Sequence, residues 1–179
     1  MASARDRVLD AYETLLIESG PGAATLDAVA AAAQVSKGGL LYHFASKDAL
    51  AAGLLARLAE RSAADAEAIR TAADGATAYY LNTSAPGGGI PGGLTRTYLA
   101  ALRAADHARD PAAVRDALAA VDADGYAALC ADLGDPVLAL LAQLIGDGLY
   151  LRTLAGTPLP PDLPVEQLLD RMREIADRG

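Results

Sequence analysis

The stretch TLDAVAAAAQVSKGGLLYHFASK, residues 25–47, decides the fold of this chain. It contains two short segments with apolar residues at helical spacing, and a hydroxyl residue that can cap a helix, Thr25 or Ser36, precedes each. The pattern breaks at Gln34, so a turn of three or four residues joins the two segments. A longer amphipathic segment at residues 5–19 and another after residue 47 predict supporting helices. The arrangement predicts a helix-turn-helix.

The charge pattern of this stretch favours contact with a polyanion. No acidic residue occurs from Ala28 to Lys47, although the whole chain has 23 Asp and Glu against 15 Lys and Arg. Lys37, His43 and Lys47 lie inside the acid-free window. Because phosphates dominate the affinity of proteins for DNA, a surface that faces DNA should lack carboxylates.

Two further details point to close contact with nucleic acid. Gly38 and Gly39 lie inside the second short helix, where each costs about 1 kcal/mol relative to alanine. We interpret them as sites where the backbone approaches another surface, such as a groove wall. Thr25, Ser36 and Ser46 each begin a helix, and helix N-termini favour phosphate oxygens.

The composition excludes other classes of protein. The 179 residues include 8 aromatic side chains and are rich in alanine and leucine, which predicts an all-α fold. The net charge of −8 excludes a protein that is basic over its whole surface. Residues 1–62 carry 6 basic and 7 acidic side chains, a net of −1, and residues 63–179 carry 9 and 16, a net of −7.

The few cysteine and histidine residues limit the chemistry that we expect. A single cysteine, Cys130, excludes an internal disulfide framework and is typical of a reducing cytoplasm. With two histidines in addition, the chain lacks the ligands of a zinc site, and we expect no metal and no cofactor. The longest apolar run, residues 137–145, is too short to span a membrane.

The quoted stretch resembles the DNA-binding region of the tetracycline-repressor-like (TetR) family of bacterial transcription regulators. The resemblance covers roughly residues 5–55. It implies an all-α protein with an N-terminal three-helix helix-turn-helix DNA-binding head, residues 1–47, and a larger helical ligand-binding and dimerisation body, residues 48–179. It also implies a cytoplasmic homodimer that binds double-stranded DNA at a pseudo-palindromic operator. A small-molecule effector of unknown identity would release such a repressor.

The resemblance assigns DNA contacts residue by residue. Thr25, Tyr42, His43 and Lys47 would hold phosphates, whereas the positions that approach base edges are Ser36, Lys37, Gly38, Gly39 and Leu41. Leu41 departs from the family pattern, which usually has an aromatic residue there. That position offers only apolar contact, for example with a thymine methyl group.

Further helices are predicted after residue 62, at residues 64–83, 94–107, 111–131, 135–155 and 164–178. Asp110-Pro111 and Asp135-Pro136 mark two of these starts, since each places a capping carboxylate before a proline at the first helical position. Residues 84–93, SAPGGGIPGG, predict an irregular loop.

Two sets of residues are candidates for the roles of the body. Polar or aromatic residues on apolar helices could line an effector pocket: Tyr79, Tyr98, Arg103, His107, Tyr126 and Cys130. For each of them, ordinary packing in the core is an alternative. By the family pattern the last two helices form the dimer interface, with Leu141, Leu144, Leu151, Leu168, Met172 and Ile175.

Two alternatives to a regulator follow from the sequence. Leu41 leaves open a small-molecule-binding helical protein whose head no longer recognises a defined operator. An enzyme is not expected, because no nucleophile, base and orienting group occur at a recognisable spacing.

Overall fold

The computed structural model describes residues 3–85, 93–157, 159–160 and 164–176. Within these ranges the chain forms nine α-helices and no strand, which confirms the predicted all-α fold. The helices are α1 Ala4–Ser19, α2 Leu26–Ala32, α3 Lys37–His43, α4 Lys47–Arg70, α5 Ala76–Ser84, α6 Leu94–Ala104, α7 Pro111–Leu133, α8 Pro136–Ala155 and α9 Val165–Ala176. A 3-10 turn, Ala105–His107, follows α6.

Carboxylate caps start α7 and α8 as the sequence predicts. Asp110 Oδ1 accepts hydrogen bonds from the backbone N–H groups of Ala112 and Ala113, both at 3.1 Å. Asp135 Oδ1 accepts in the same way from Val137 at 2.7 Å. α7 begins at Pro111 and α8 begins at Pro136, which confirms both predicted boundaries. The sequence could predict them because each cap is only two or three residues from the groups that it bonds.

The prediction of one helix at residues 64–83 is wrong. Instead, α4 continues without a break to Arg70, and α5 begins only at Ala76. Gly75 ends the turn between them with φ +89°, a left-handed conformation that glycine adopts without strain. The capping carboxylate of α5 comes from Asp132, far away in sequence, and no local pattern could have placed the start of this helix.

The loop predicted at residues 84–93 falls mostly outside the described residues. Ser84 closes α5, Ala85 follows it, and Gly93 precedes α6. The intervening residues 86–92 are outside the described ranges.

The chain divides into two compact units. Unit 1 comprises Met1–Arg61 with Gly93–Val121, and unit 2 comprises Ser62–Gly92 with Asp122–Gly179. These units differ from the functional division at residues 47 and 48, which stays a prediction.

Unit 1 buries one face of α1 against α2, α3 and α6. Val8, Leu9 and Leu16 of α1 are fully buried, as are Leu50 and Leu58 of α4. Burial of side chains of this size stabilises a fold by about 1.5–3 kcal/mol each. This apolar core gives the short helices α2 and α3 a support that their length alone could not provide.

A buried charge network joins three helices of unit 1. The carboxylate of Glu13 on α1 is fully buried and lies 3.3 Å from both Arg57 Nη1 and Arg61 Nη1 of α4. Its Oε1 also accepts a hydrogen bond from Thr97 Oγ1 of α6 at 2.8 Å. Because an isolated buried carboxylate would be very costly, this network fixes the register of α1 against α4 and α6.

Unit 2 is organised around Tyr80. Its ring packs against buried clusters that contain Leu81, Leu129 and Ile69. Gly146 of α8 provides the space, since a Cβ there would overlap the ring. The apolar interior of this unit therefore depends on a small residue opposite a large one.

No helix in the described ranges is both long enough and apolar enough to cross a membrane.

Candidate nucleic-acid interface

Side-chain caps define the two short helices of the helix-turn-helix. Thr25 Oγ1 accepts a hydrogen bond from the N–H of Ala28 at 3.2 Å, and Ser36 Oγ accepts from that of Gly39 at 3.0 Å. Between the helices, Gln34 adopts φ 54° and turns the chain. Each cap satisfies an N–H group that would otherwise lack a partner, so the local sequence sets where α2 and α3 begin.

The inner face of α3 is anchored in the core of unit 1. Leu40 is fully buried and Phe44, which follows the helix, is nearly so. The Phe44 ring lies against Gly53 of α4, and the guanidinium of Arg5 lies 5.5 Å from the ring centroid. Leu40 and Phe44 hold α3 in a fixed orientation, in agreement with the core role that their spacing predicts.

The outer face of α3 is open to solvent. Tyr42 is 85% exposed and Leu41 is 39% exposed. The rings of Tyr42 and His43 meet edge to face, with 5.1 Å between their centroids. This face has the form of a recognition helix.

The two glycines of α3 differ in their surroundings. A Cβ at Gly38 would have no heavy atom within 4 Å, so nothing within the described protein explains the lack of a side chain. A Cβ at Gly39 would lie 3.2 Å from Ser36 Oγ, against the cap. Close approach of Gly38 to another surface stays a prediction, whereas the neighbouring cap gives Gly39 a reason within the protein.

The lysines of the interface are engaged by neighbouring groups. Lys37 Nζ lies 2.9 Å from Asp27 Oδ1, and both side chains are exposed. Lys47 Nζ donates to the backbone carbonyl of Pro21 at 3.0 Å. The acid-free window begins one residue after Asp27, and for this reason the sequence pattern missed the carboxylate that folding brings to Lys37.

The predicted DNA contacts all occur within one short segment of unit 1. Eight of the nine are exposed and Gly39 is half-buried. The eight exposed residues are Thr25, Ser36, Lys37, Gly38, Leu41, Tyr42, His43 and Lys47. Their DNA roles remain predictions, but each side chain or backbone is accessible to a ligand.

The predicted effector residues do not come together in one unit. Tyr98, Arg103 and His107 lie in unit 1, whereas Tyr79, Tyr126 and Cys130 lie in unit 2. Arg103 donates to the carbonyl of Ile17 at 3.3 Å, and the Tyr126 hydroxyl donates to that of Pro136 at 3.3 Å. Cys130 packs against the cluster that contains Leu129.

Sequence reasoning did not nominate two carboxylates of unit 2, Asp65 and Asp147, of which Asp65 is half-buried. Asp65 accepts a hydrogen bond from the Tyr79 hydroxyl at 3.4 Å, and Asp147 accepts from the Tyr80 hydroxyl at 3.2 Å. Burial raises the pKa of Asp65 and of Asp147, and it also raises the pKa of Tyr80. These aspartates are spread over two helices, and only the fold places each beside a tyrosine.

The predicted dimer residues divide into exposed and buried members. Leu141, Leu144 and Leu151 of α8 and Ile175 of α9 are exposed. Leu168 packs partly against the cluster that contains Leu81. Met172 is 5% exposed and belongs to the cluster with Leu129, so its side chain faces the interior of unit 2.

A capped helix-turn-helix with an exposed second helix, followed by a larger helical part, defines the class of helix-turn-helix DNA-binding proteins. Residues 8–54 match the family of bacterial regulatory proteins described as the tetR family. A solved structure, the crystal structure of the multidrug binding protein EbrR complexed with imidazole, is 26% identical to this chain with a TM-score of 0.58. The match covers 99% of this chain and 95% of that chain. No curated protein shows a significant match.

The chain is a TetR-like protein, and proteins of the TetR family are DNA-binding regulators of transcription. The family match covers the helix-turn-helix, and the structural match extends to the helical body.

Proposed function

We propose that this protein is a homodimeric repressor that presents α3 to the major groove of a pseudo-palindromic operator and leaves it when a small-molecule effector binds. One observation carries the proposal: α3 is anchored by Leu40 and Phe44 on one side while Tyr42 and Leu41 are exposed on the other. A helix whose inner face is packed in the core can present its outer side chains to base edges in a defined orientation.

Residues at or near the ends of the short helices bind the DNA phosphates in this proposal. The exposed Tyr42 hydroxyl can donate a hydrogen bond to a phosphate oxygen. The contact between the Tyr42 and His43 rings limits the conformational freedom of both side chains. Lys47 uses one donor on the Pro21 carbonyl, which leaves two of its three for a phosphate oxygen. Contacts of this type set the register of the protein on DNA and carry no sequence information.

Asp27 competes with DNA for Lys37. The ion pair at 2.9 Å is exposed, and pairs of this kind contribute only about 0–1 kcal/mol. A phosphate or a guanine edge can therefore displace Asp27 at a modest cost. The pair limits the affinity of the head for DNA in general and favours sites where Lys37 finds a good partner.

An exposed apolar stripe on α8 supports the dimer. Val137, Leu140, Leu141, Leu144 and Leu151 follow one helical face, and each is exposed. A contiguous apolar surface of this kind is typical of an interface. A second copy of the chain is the proposed partner, since two heads are needed to read two half-sites.

The effector is proposed to be a small apolar or mixed-polarity molecule that binds the helical body. The solved structure of a related multidrug binding protein in complex with imidazole supports small-molecule binding. Such a molecule weakens DNA binding if it favours the conformer with lower operator affinity.

A gel-shift assay tests the proposal, with DNA that flanks the gene and with operators selected from random duplexes. We expect a salt-sensitive, sequence-selective shift. Lys47→Ala should weaken binding to all sequences alike, whereas Lys37→Ala and Gly39→Ala should change which sequence binds best. Absence of any selective shift would favour the alternative, a helical ligand-binding protein whose head recognises no operator.

Asp27→Asn gives a sharper test of the Lys37 contact. We expect tighter operator binding, by about 2- to 5-fold, because the exposed ion pair no longer opposes the DNA contact. Removal of a negative charge could also act at long range, so the same substitution is made in a Lys37→Ala background. If Asp27→Asn gives an equal gain there, Lys37 is not the partner that Asp27 restrains.

A further inference from the structure

A cleft in unit 1 is not used by the proposed DNA contacts. It lies among α1, α4, α6 and the start of α7, and its volume is about 150 Å³. Its walls are mainly apolar and include Leu54, Ala101, Ala104 and Val114, all of which are buried. A cavity of about 150 Å³ is large enough for one benzene ring.

Tyr12 places a hydroxyl group in this cleft. The residue lines the cleft and is only 2% exposed, yet its hydroxyl has no hydrogen-bond partner among the residues that the structure describes. Burial, followed by the charge of Asp48, raises the pKa of this hydroxyl, which therefore remains a proton donor. The hydroxyl faces the cleft and is available to donate a hydrogen bond to an acceptor on a ligand there.

Charged side chains at the rim favour an anion. Lys47, Arg109, Asp48 and His107 all line the cleft. Asp48 forms an exposed ion pair with Arg109 at 2.9 Å, and Lys47 contacts only a neutral carbonyl, that of Pro21. The Lys47 ammonium group at the rim therefore has no carboxylate partner among the described residues. It lies beside the apolar floor of the cleft.

We propose that this cleft binds a small monocyclic aromatic acid, whose ring occupies the apolar floor and whose carboxylate accepts hydrogen bonds from the Tyr12 hydroxyl and the Lys47 ammonium. If the proposed function also holds, such a ligand draws Lys47 away from DNA phosphate. Occupancy then lowers operator affinity from a site inside unit 1 itself.

Benzoate is the probe, and its binding to the full chain is measured by calorimetry in the absence of DNA. We expect saturable binding of one benzoate per chain and a melting temperature that rises with benzoate concentration. Benzyl alcohol and benzylamine keep the ring but replace the carboxylate. Both should bind at least about 10-fold more weakly, because a hydrogen bond to a charged group is lost.

Matched variants locate the site. Tyr12→Phe keeps the ring and should weaken benzoate binding by about 10-fold or more. Lys47→Ala changes an exposed side chain that should not affect folding, and it should weaken binding as well. Tyr80→Phe removes a tyrosine hydroxyl in unit 2, away from the residues that line the cleft, and should leave benzoate binding unchanged.

Three results would overturn the proposal. Benzoate could fail to bind saturably, benzylamine could bind as tightly as benzoate, or both Tyr12→Phe and Lys47→Ala could bind benzoate as the wild type does. Since these measurements contain no DNA, they separate the cleft from the operator. A chain that shifts operator DNA but does not bind benzoate refutes the cleft alone.

Discussion

At the scale of single residues, the position of Phe44 depends on the absence of a side chain at Gly53. The Phe44 ring closes the C-terminal end of α3, and Gly53 lies opposite it in the middle of α4. A Cβ at Gly53 would lie 2.5 Å from Phe44 Cε1, closer than atoms in van der Waals contact. This one missing methyl group decides how closely the recognition helix lies against its support.

Gly53→Ala should therefore destabilise the protein although alanine favours helices. We expect the free energy of unfolding to fall by about 1–3 kcal/mol, because overpacking outweighs the gain in helix propensity. Urea unfolding measures the change. Gly38→Ala is the matched control, since a Cβ there meets nothing within 4 Å and stability should be unchanged or slightly higher. Equal stability of the Gly53→Ala variant and the wild type would show that the ring moves aside without cost.

At the scale of elements, α5 takes its N-terminal cap from another helix. The residue that precedes it, Gly75, has no side chain to offer, and Asp132 Oδ2 of α7 instead accepts hydrogen bonds from Thr77 N at 3.0 Å and Thr77 Oγ1 at 2.9 Å. Burial raises the pKa of the Asp132 carboxyl, but the hydrogen bonds from Thr77 and Ala76 outweigh it, and the pKa lies below its ordinary value.

Asp132→Asn should lower stability at neutral pH by about 1 kcal/mol, the usual worth of a helix cap. The pKa of Asp132 in the folded protein is below the ordinary aspartate value of 3.8. The charged carboxylate therefore contributes its full stabilisation above pH 3.8, and this stabilisation is lost as pH falls through the pKa of the folded state. The difference in urea midpoint between wild type and variant should shrink over that acid range. A difference that is constant with pH would mean that the charge of Asp132 does not contribute.

At the scale of the whole molecule, the exposed apolar stripe on α8 is the feature from which we infer a dimer. Leu144 is 57% exposed and Leu151 is 65% exposed. The two residues lie on the same face of α8, two helical turns apart. Exposure of several large aliphatic side chains in one row is unfavourable in water, and burial against a second copy would remove that cost.

Leu144→Glu should convert the proposed dimer to a monomer, because burial of the new carboxylate at the interface would be costly. Sedimentation equilibrium measures the change in mass. Affinity for a palindromic operator should fall by about 10²–10⁴-fold, since two linked heads no longer act together. Leu102→Glu is the control, an exposed leucine of α6 outside the stripe, and it should leave the mass unchanged. A dimer that persists in Leu144→Glu would place the interface elsewhere.

The sequence by itself determined the helices of the head and the starts of α7 and α8. Caps such as Thr25, Ser36, Asp110 and Asp135 bond to N–H groups two or three residues away, so their effect can be predicted from neighbouring residues. Helical spacing likewise identified Leu40 and Phe44 as core residues.

Only the tertiary structure decided which partners those residues meet. The pairing of Lys37 with Asp27, the place of Phe44 against Gly53 and the cap of α5 by Asp132 all join residues that are distant in sequence. The same holds for α9, where one apolar pattern contains the buried Met172 and the exposed Ile175. A periodic pattern states that a helix has an apolar face, but only packing between helices decides which part of that face is covered and which part remains for a partner.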